Sequence, residues 1–210
     1  GATLEGRFDG RDKLITGLFG PVLAERTYLE AVAEGAICPL VVFFLKMKLD
    51  PTAIIKNRDT AYNRLMFLNQ DMAQTVADIC HKVVPEEQQT LVFIKNEKQA
   101  DLYLKVLAQD AGVIAMAKRL KPKERDAMFA RLQTGEVLRC FATNIYAQGV
   151  TFSDMRCMIN CEAGGNNTSA IQKPGRLAEI RPGKNWGTVI DFLFDARQDE
   201  VSAAEDRGNK

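Results

Sequence analysis

The stretch Leu138-Arg139-Cys140-Phe141-Ala142-Thr143-Asn144, continued by Gln148-Gly149-Val150-Thr151-Phe152, decides how this chain is read. A short apolar run closes on two small polar residues. A hydroxyl and a carboxamide then stand at the carboxyl end of a strand, where open α/β sheets bind their ligands. Both groups suit neutral hydrogen bonds to phosphate oxygens, contacts that position a nucleic-acid strand without reading its sequence. Both equally suit capping of a following helix. Gly149 lets the backbone approach a ligand closely. About twenty residues further on stands Gln172-Lys173-Pro174-Gly175-Arg176. In a helix starting near Thr168, residues three and four apart share a face, so Gln172, Arg176 and Glu179 are expected to point together. Pro174 within this pattern implies a kink or a late start, and Pro182 ends the helix beside Arg181.

Outward from this stretch, short apolar runs alternate with helical patterns. The runs are Leu40 to Lys46, Thr90 to Ile94, Val113 to Ala117, Leu138 to Ala142, Arg156 to Asn160 and Thr188 to Phe192. Continuous rather than alternating hydrophobicity implies strands covered on both faces, hence a mostly parallel sheet. Asp59 to Val84 carries Tyr62, Leu65, Met66, Met72, Ala73, Val76, Cys80 and Val83 at helical spacing and stops at Pro85. Asn96, with Gln99 three residues on, predicts a capping box for the next helix, which Gly112 ends. Pro122 opens another helix, which buries Met128, Phe129 and Leu132 and ends at Gly135. Strands alternating with helices predict a doubly wound α/β domain of about six strands with helices on both faces. Residues Glu25 to Glu34 read as a short helix before the first strand, and Gln198 to Lys210 as a polar, flexible tail.

The 210 residues are 46% hydrophobic and carry a net charge of +1. That composition suits one soluble α/β domain and argues against a globally basic surface, so nucleic-acid contact has to come from a local groove. No apolar run reaches the ~20 residues of a membrane span. The chain starts at Gly1 without Met, which reads as a piece excised from something longer. Cys38, Cys80, Cys140, Cys157 and Cys161 are scattered within apolar runs; Cys157 and Cys161, with His81 as the single histidine, do not complete a zinc set. Buried, reduced thiols are expected instead. A nucleotide motor also needs a Gly-rich loop ending in Gly-Lys-Ser/Thr and an Asp-Glu pair after a strand. Gly183-Lys184 is followed by Asn185 and lacks the upstream glycine, and Asp199-Glu200 follows no apolar strand. The chain by itself is therefore expected not to hydrolyse ATP.

Thr143-Asn144 with Gly149-Val150, and Gln172 through Arg176, resemble motifs V and VI of the superfamily-2 helicases. Their second RecA-like domain reads (V/A)AT-N/D-xxxx-GV/I and then QRxGRxxR. Leu91-Val92-Phe93-Ile94-Lys95 resembles motif IV of that family. Gly1-Ala2-Thr3-Leu4-Glu5-Gly6 resembles motif III, with Leu4 where the family usually has Pro. The run from Asn160 to Arg176, a Gly-Lys hairpin and Val189-Ile190-Asp191-Phe192 are similar in style to DNA repair and recombination helicases, phage-encoded members included.

The resemblance implies a RecA-like fold and ATP-driven work on nucleic acid, more on DNA than RNA, by a longer protein in the cytoplasm of a bacterial or phage-infected cell. It divides the chain into residues 1–38 (the end of a first RecA-like domain and a linker), 39–197 (the second RecA-like domain) and 198–210 (the tail). It places Lys95, Thr143 and Asn144 on nucleic acid, together with Lys118 and Arg119 of the basic stretch after the third strand, which also reads as a solvated surface. It places Gly149, Thr151, Gln172 and Gly175 near ATP, with Mg2+ held mainly by the missing first domain. Arg176 would neutralise charge on the transferring phosphoryl group. Glu179 stands where the family has its last arginine, which makes Arg181 the substitute and also suits a lobe that has lost catalysis and serves as a nucleic-acid clamp. An unrelated α/β enzyme is the remaining alternative. Trp186 reads as a packing residue ahead of a base-stacking platform.

Overall fold

The computed structural model describes residues 25–47, 66–107, 113–116, 121–143, 154–162, 174–175 and 177–194. A one-and-a-half-turn helix, α1 (Tyr28–Ala33), opens on Thr27, whose hydroxyl accepts the Glu30 N–H while the Glu30 carboxylate accepts the Thr27 N–H. Six strands follow with helices between them: β1 (Leu40–Met47), α2 (Gln70–Asp78), β2 (Gln89–Phe93), α3 (Glu97–Val106), β3 (Val113–Met116), α4 (Pro122–Gln133), β4 (Arg139–Ala142), β5 (Met155–Asn160) and β6 (Gly187–Phe194). The sheet runs β1-β6-β5-β2-β4-β3, and every ladder is parallel.

Parallel pairing forces crossovers, and these place helices on both faces. On one face α2 and α3 bury Met72, Val76, Ala100 and Tyr103 against Val92, Ile94, Phe141, Cys157 and Ile159. Tyr103 meets Phe141 edge-on, with ring centroids 6.0 Å apart. On the other face Leu132 and Leu177 pack with Leu91, Phe93, Cys140, Met158 and Val189. The central strands β2 and β4 are buried along their whole length, which is why their carboxyl halves, residues 91–93 and 140–142, are continuously apolar. Among the described residues, these features form a doubly wound α/β sheet with the expected six strands.

Four local expectations are corrected. The helix read from Asp59 to Val84 is not continuous, because Asn69 has extended backbone and its side chain accepts the Met72 N–H, starting α2 afresh. Residues 59–65 lie outside the described residues. α2 then widens into a π-helical turn, Ile79–Val83, and stops before Pro85 as expected. Asn96 does cap α3, accepting the Gln99 N–H at 3.0 Å, but the Gln99 side chain does not return to the Asn96 N–H. It reaches one residue further, to Lys95. Nor is every strand covered on both faces: β1 is an edge strand paired with β6, and Val41, Val42, Phe43 and Phe44 stay exposed. In α4, Leu132 is buried, whereas Met128 and Phe129 are only partly so. Gly135 ends that helix with φ 75°, a left-handed conformation natural to glycine.

One buried cation ties the amino side of the sheet together. Arg139, 4% exposed at the start of β4, donates to the carbonyls of Gln88, Cys80 and Pro85. The Cys80 carbonyl belongs to the carboxyl end of the α2 unit, where a positive charge is favoured by the helix dipole.

Candidate functional site

Three neighbouring strands end together at the carboxyl edge. Beyond the last β2–β4 pair, Phe93 with Ala142, the Ile94 N–H donates to the Ala142 carbonyl at 2.9 Å. Beyond the last β2–β5 pair, Phe93 with Asn160, the Cys161 N–H donates to the Phe93 carbonyl at 2.8 Å. Thr143 follows β4 level with Ile94, and one residue further Lys95, after β2, stands level with Glu162, after β5.

Thr143, Lys95 and Glu162 each have a distinct state. Thr143 is 8% exposed, and its Oγ1 is buried with no hydrogen-bond partner. A buried hydroxyl left unpaired costs about 1–3 kcal/mol by mutational measure, so an empty acceptor or donor here is a structural expense. Lys95 is half-exposed, and its Nζ lies 3.2 Å from Glu162 Oε1. Glu162 is buried, so its carboxylate is held inside the edge while the lysine faces solvent. Sequence reasoning misses Glu162; its place just past the end of an apolar strand is the one signal available.

Gln99 links the same strand ends from behind. Its Oε1 accepts the Lys95 N–H at 2.7 Å, and its Nε2 donates to the Cys161 carbonyl at 2.9 Å and to Tyr103 Oη at 3.2 Å. The side chain is fully buried. Burial pushes the Tyr103 phenol well above its usual range, so it stays a neutral partner.

The described part of the second motif lies elsewhere. Pro174 and Gly175 are helical; the Leu177 N–H donates to the Pro174 carbonyl at 2.8 Å and the Ala178 N–H to the Gly175 carbonyl at 3.3 Å. The chain then leaves helical geometry: the Ala178 carbonyl accepts the Cys38 N–H at 2.8 Å. Glu179 therefore does not share a helix face with Arg176, correcting the expected Gln172–Arg176–Glu179 stripe; the tertiary bond to Cys38 and the following Pro182 divert the backbone. Glu179 instead pairs with Arg181 at 2.7 Å. The Lys184 N–H closes a turn onto the Arg181 carbonyl at 3.0 Å, with Gly183 at φ 73°. Leu177 is fully buried against Gly187, where an added Cβ would lie 3.0 Å from Leu177 Cβ and 3.2 Å from the Leu177 carbonyl oxygen.

The two motifs thus end at opposite edges: Thr143 at the carboxyl end of β4, the Gly175–Arg181 segment beside the amino ends of β1 and β6. Lys184 sits with that segment, buried, and burial lowers its pKa from the ordinary lysine value. Trp186 is 55% exposed, which overturns its reading as a packing residue. Lys118, Arg119, Asn144, Gly149, Thr151, Gln172 and Arg176 lie outside the described residues, as does the motif III stretch Gly1 to Gly6. Lys121 and Lys123 are exposed at the start of α4, where the Glu124 carboxylate accepts the Lys121 N–H at 2.8 Å.

All five cysteines are buried and outside any disulfide, and burial pushes the Cys140 and Cys157 thiols up to about 12. Among the described residues no group of three or more His, Cys, Asp or Glu is placed to hold a metal ion, and no helix is long and apolar enough to cross a membrane.

An open, all-parallel six-stranded sheet with helices on both faces is the architecture of a RecA-like lobe. The chain belongs to the helicase conserved C-terminal domain family, whose model matches residues 73–181. Strands β1 and β6 lie outside that range yet complete the same sheet. Over 136 residues the chain is 27% identical to the DEAD-box ATP-dependent RNA helicase 7 of Arabidopsis thaliana, covering 64% of this chain and 19% of that protein. The chain thus spans about a fifth of that relative's length. Solved structures share its fold, two of them bound to nucleic acid. Saccharomyces cerevisiae Dbp5 bound to RNA and ADP BeF3 has a TM-score of 0.54 at 17% identity, covering 96% of this chain and 47% of that one. The DUF1998 helicase MrfA bound to DNA has a TM-score of 0.54 at 16% identity, covering 81% and 22%. The chain is thus a helicase-type C-terminal RecA-like domain.

Proposed function

We propose that the chain is the second motor lobe of a longer nucleic-acid translocase, with residues 39–197 as the lobe. It holds the phosphate backbone through Lys95, Thr143 and Asn144, extended by Lys118 and Arg119. The observations that carry this reading are the partnerless Thr143 hydroxyl and the half-exposed Lys95 amine, both at the carboxyl ends of adjacent strands and both groups that suit phosphate oxygens. Arg176, with Gly149, Thr151, Gln172 and Gly175, serves ATP bound mainly by the first lobe with Mg2+. The chain alone is then inactive as an ATPase. DNA is the substrate favoured by the style of the Asn160 to Arg176 segment, within a bacterial or phage-infected cytoplasm; the Arabidopsis relative carries an RNA helicase name.

In the full-length protein, Arg176→Ala should lower nucleic-acid-stimulated ATPase about 10³-fold or more, the scale of arginine fingers, with little change in nucleic-acid affinity. Stimulation compared between DNA and RNA of equal length decides the substrate. Wild-type turnover in Arg176→Ala rejects the motor role of this segment. A second reading, a catalytically degenerate clamp, is favoured by one contact: Glu179 engages Arg181 at 2.7 Å and so occupies the substitute arginine. On that reading Arg176→Ala leaves turnover unchanged, while loss of the Lys95 amine still weakens binding.

A further inference from the structure

We propose that Gln99 is a positioning residue of the nucleic-acid edge, acting through Lys95 and Glu162. The proposal rests on the phosphate-binding reading of that edge. It begins from where the β2–β5 ladder stops. The last paired residues are Phe93 and Asn160, and the last backbone bond across the gap runs from Cys161 N–H to the Phe93 carbonyl. Past that point the two chains part. β2 continues into α3, which packs with Tyr103 and Ala100 on one face, whereas the chain after β5 returns to pack Leu177 on the other. These carboxyl ends of the strands are the place where open α/β sheets take ligands.

Gln99, fully buried, bridges the two chain ends where the ladder stops. One end accepts the Lys95 N–H and the other donates to the Cys161 carbonyl, so a single side chain replaces the missing rung of the ladder. The polarity admits one orientation, since an N–H must face the amide oxygen and a carbonyl must face the amide nitrogen. The second Nε2 hydrogen goes to Tyr103 Oη, leaving no donor of the amide idle. The held residues are Lys95 itself and the residue just before Glu162, whose side chains meet at 3.2 Å. Glutamine is needed for length and polarity together: asparagine is one methylene too short to reach both chains, and methionine reaches but offers no hydrogen bond. Because Glu162 is buried and Lys95 half-exposed, fixing both backbones sets where the ammonium emerges.

The test uses the full 210-residue chain, fluorescent oligo-dT and oligo-U probes, and binding measured across a range of salt concentrations. Lys95→Ala should weaken binding roughly 2- to 12-fold, the worth of one hydrogen bond, and reduce the log–log salt slope by about 0.7, the share of one single-strand phosphate. Gln99→Met should do the same, and the double variant should lose no more than either alone, because both act on one contact. Gln99→Asn, a milder change, should show at least half of the slope loss and serves if Gln99→Met fails to fold, as judged by circular dichroism. A Gln99 variant that is folded and binds with wild-type slope overturns the proposal, as does a double-variant loss equal to the sum of the two singles, the mark of a merely structural role. If Lys95→Ala itself changes neither affinity nor slope, the phosphate-binding reading of the edge falls, and the positioning role with it.

Discussion

Replacing Thr143 by Val separates the demands of folding from those of binding, because the two should move in opposite directions. The side chains are nearly isosteric; the change swaps a hydroxyl for a methyl. In the fold that hydroxyl is buried and has no partner, while the backbone beside it is already satisfied by the Ile94 to Ala142 bond. Removing an unpaired buried hydroxyl recovers about 1–3 kcal/mol of desolvation, so Thr143→Val should stabilise the chain by about 1 kcal/mol or more. For a domain of this size that corresponds to a rise of roughly 2–4 °C in Tm per kcal/mol. Losing one hydrogen bond to a phosphate oxygen should at the same time weaken single-strand binding by about 0.5–1.5 kcal/mol, or roughly 2- to 12-fold. Urea denaturation and fluorescence anisotropy read the two quantities on the same preparation. Thr143→Ser is the control: it keeps the hydroxyl and the affinity but gives up a methyl, worth about 0.8 kcal/mol of stability. A Thr143→Val variant less stable than wild type by 1 kcal/mol would show that the hydroxyl has a structural partner, and unchanged affinity would remove it from the nucleic-acid face.

Gly187→Ala should cost about 1–3 kcal/mol in urea unfolding, since the new Cβ would meet Leu40 Cδ2 at 2.8 Å and the Leu177 backbone oxygen at 3.2 Å; the leucine side chain can turn away but the carbonyl cannot. Wild-type stability in that variant would disprove the close approach. Lys184→Met should stabilise the chain at pH 7, because the lowered pKa means that the folded state disfavours the charged form. The gain should shrink as pH rises toward and past the unfolded lysine value of 10.5, where neither state carries the charge; a gain independent of pH contradicts the burial penalty. Thiol titration under native conditions should be slow at all five cysteines and immediate after denaturation, and rapid native labelling of Cys140 or Cys157 would contradict their buried, protonated state.

Local chemistry made much of the fold legible in the sequence. Continuous apolar runs such as Thr90 to Ile94 mark strands covered on both faces, and Asn96, Pro122 and Gly135 mark helix ends, because these signals act within a few residues of chain. The same locality misled at Asn69, where a capping side chain cut a stripe that periodicity alone carried straight through. Thr143 and Lys95 were recognisable as edge residues, since a polar residue closing an apolar strand must emerge at the sheet's end. What only the tertiary structure decided is which strand ends are neighbours. The order β1-β6-β5-β2-β4-β3 places Glu162 against Lys95 across 67 residues of sequence, and turns Gln99 from a helix cap into a bridge between β2 and β5. It also bends the segment after Gly175 toward Cys38, so that Glu179 meets Arg181 rather than sharing a helical face with Arg176. Helical spacing can be read along the chain, but a carbonyl bonded to a residue 140 positions away is a property of the packed sheet.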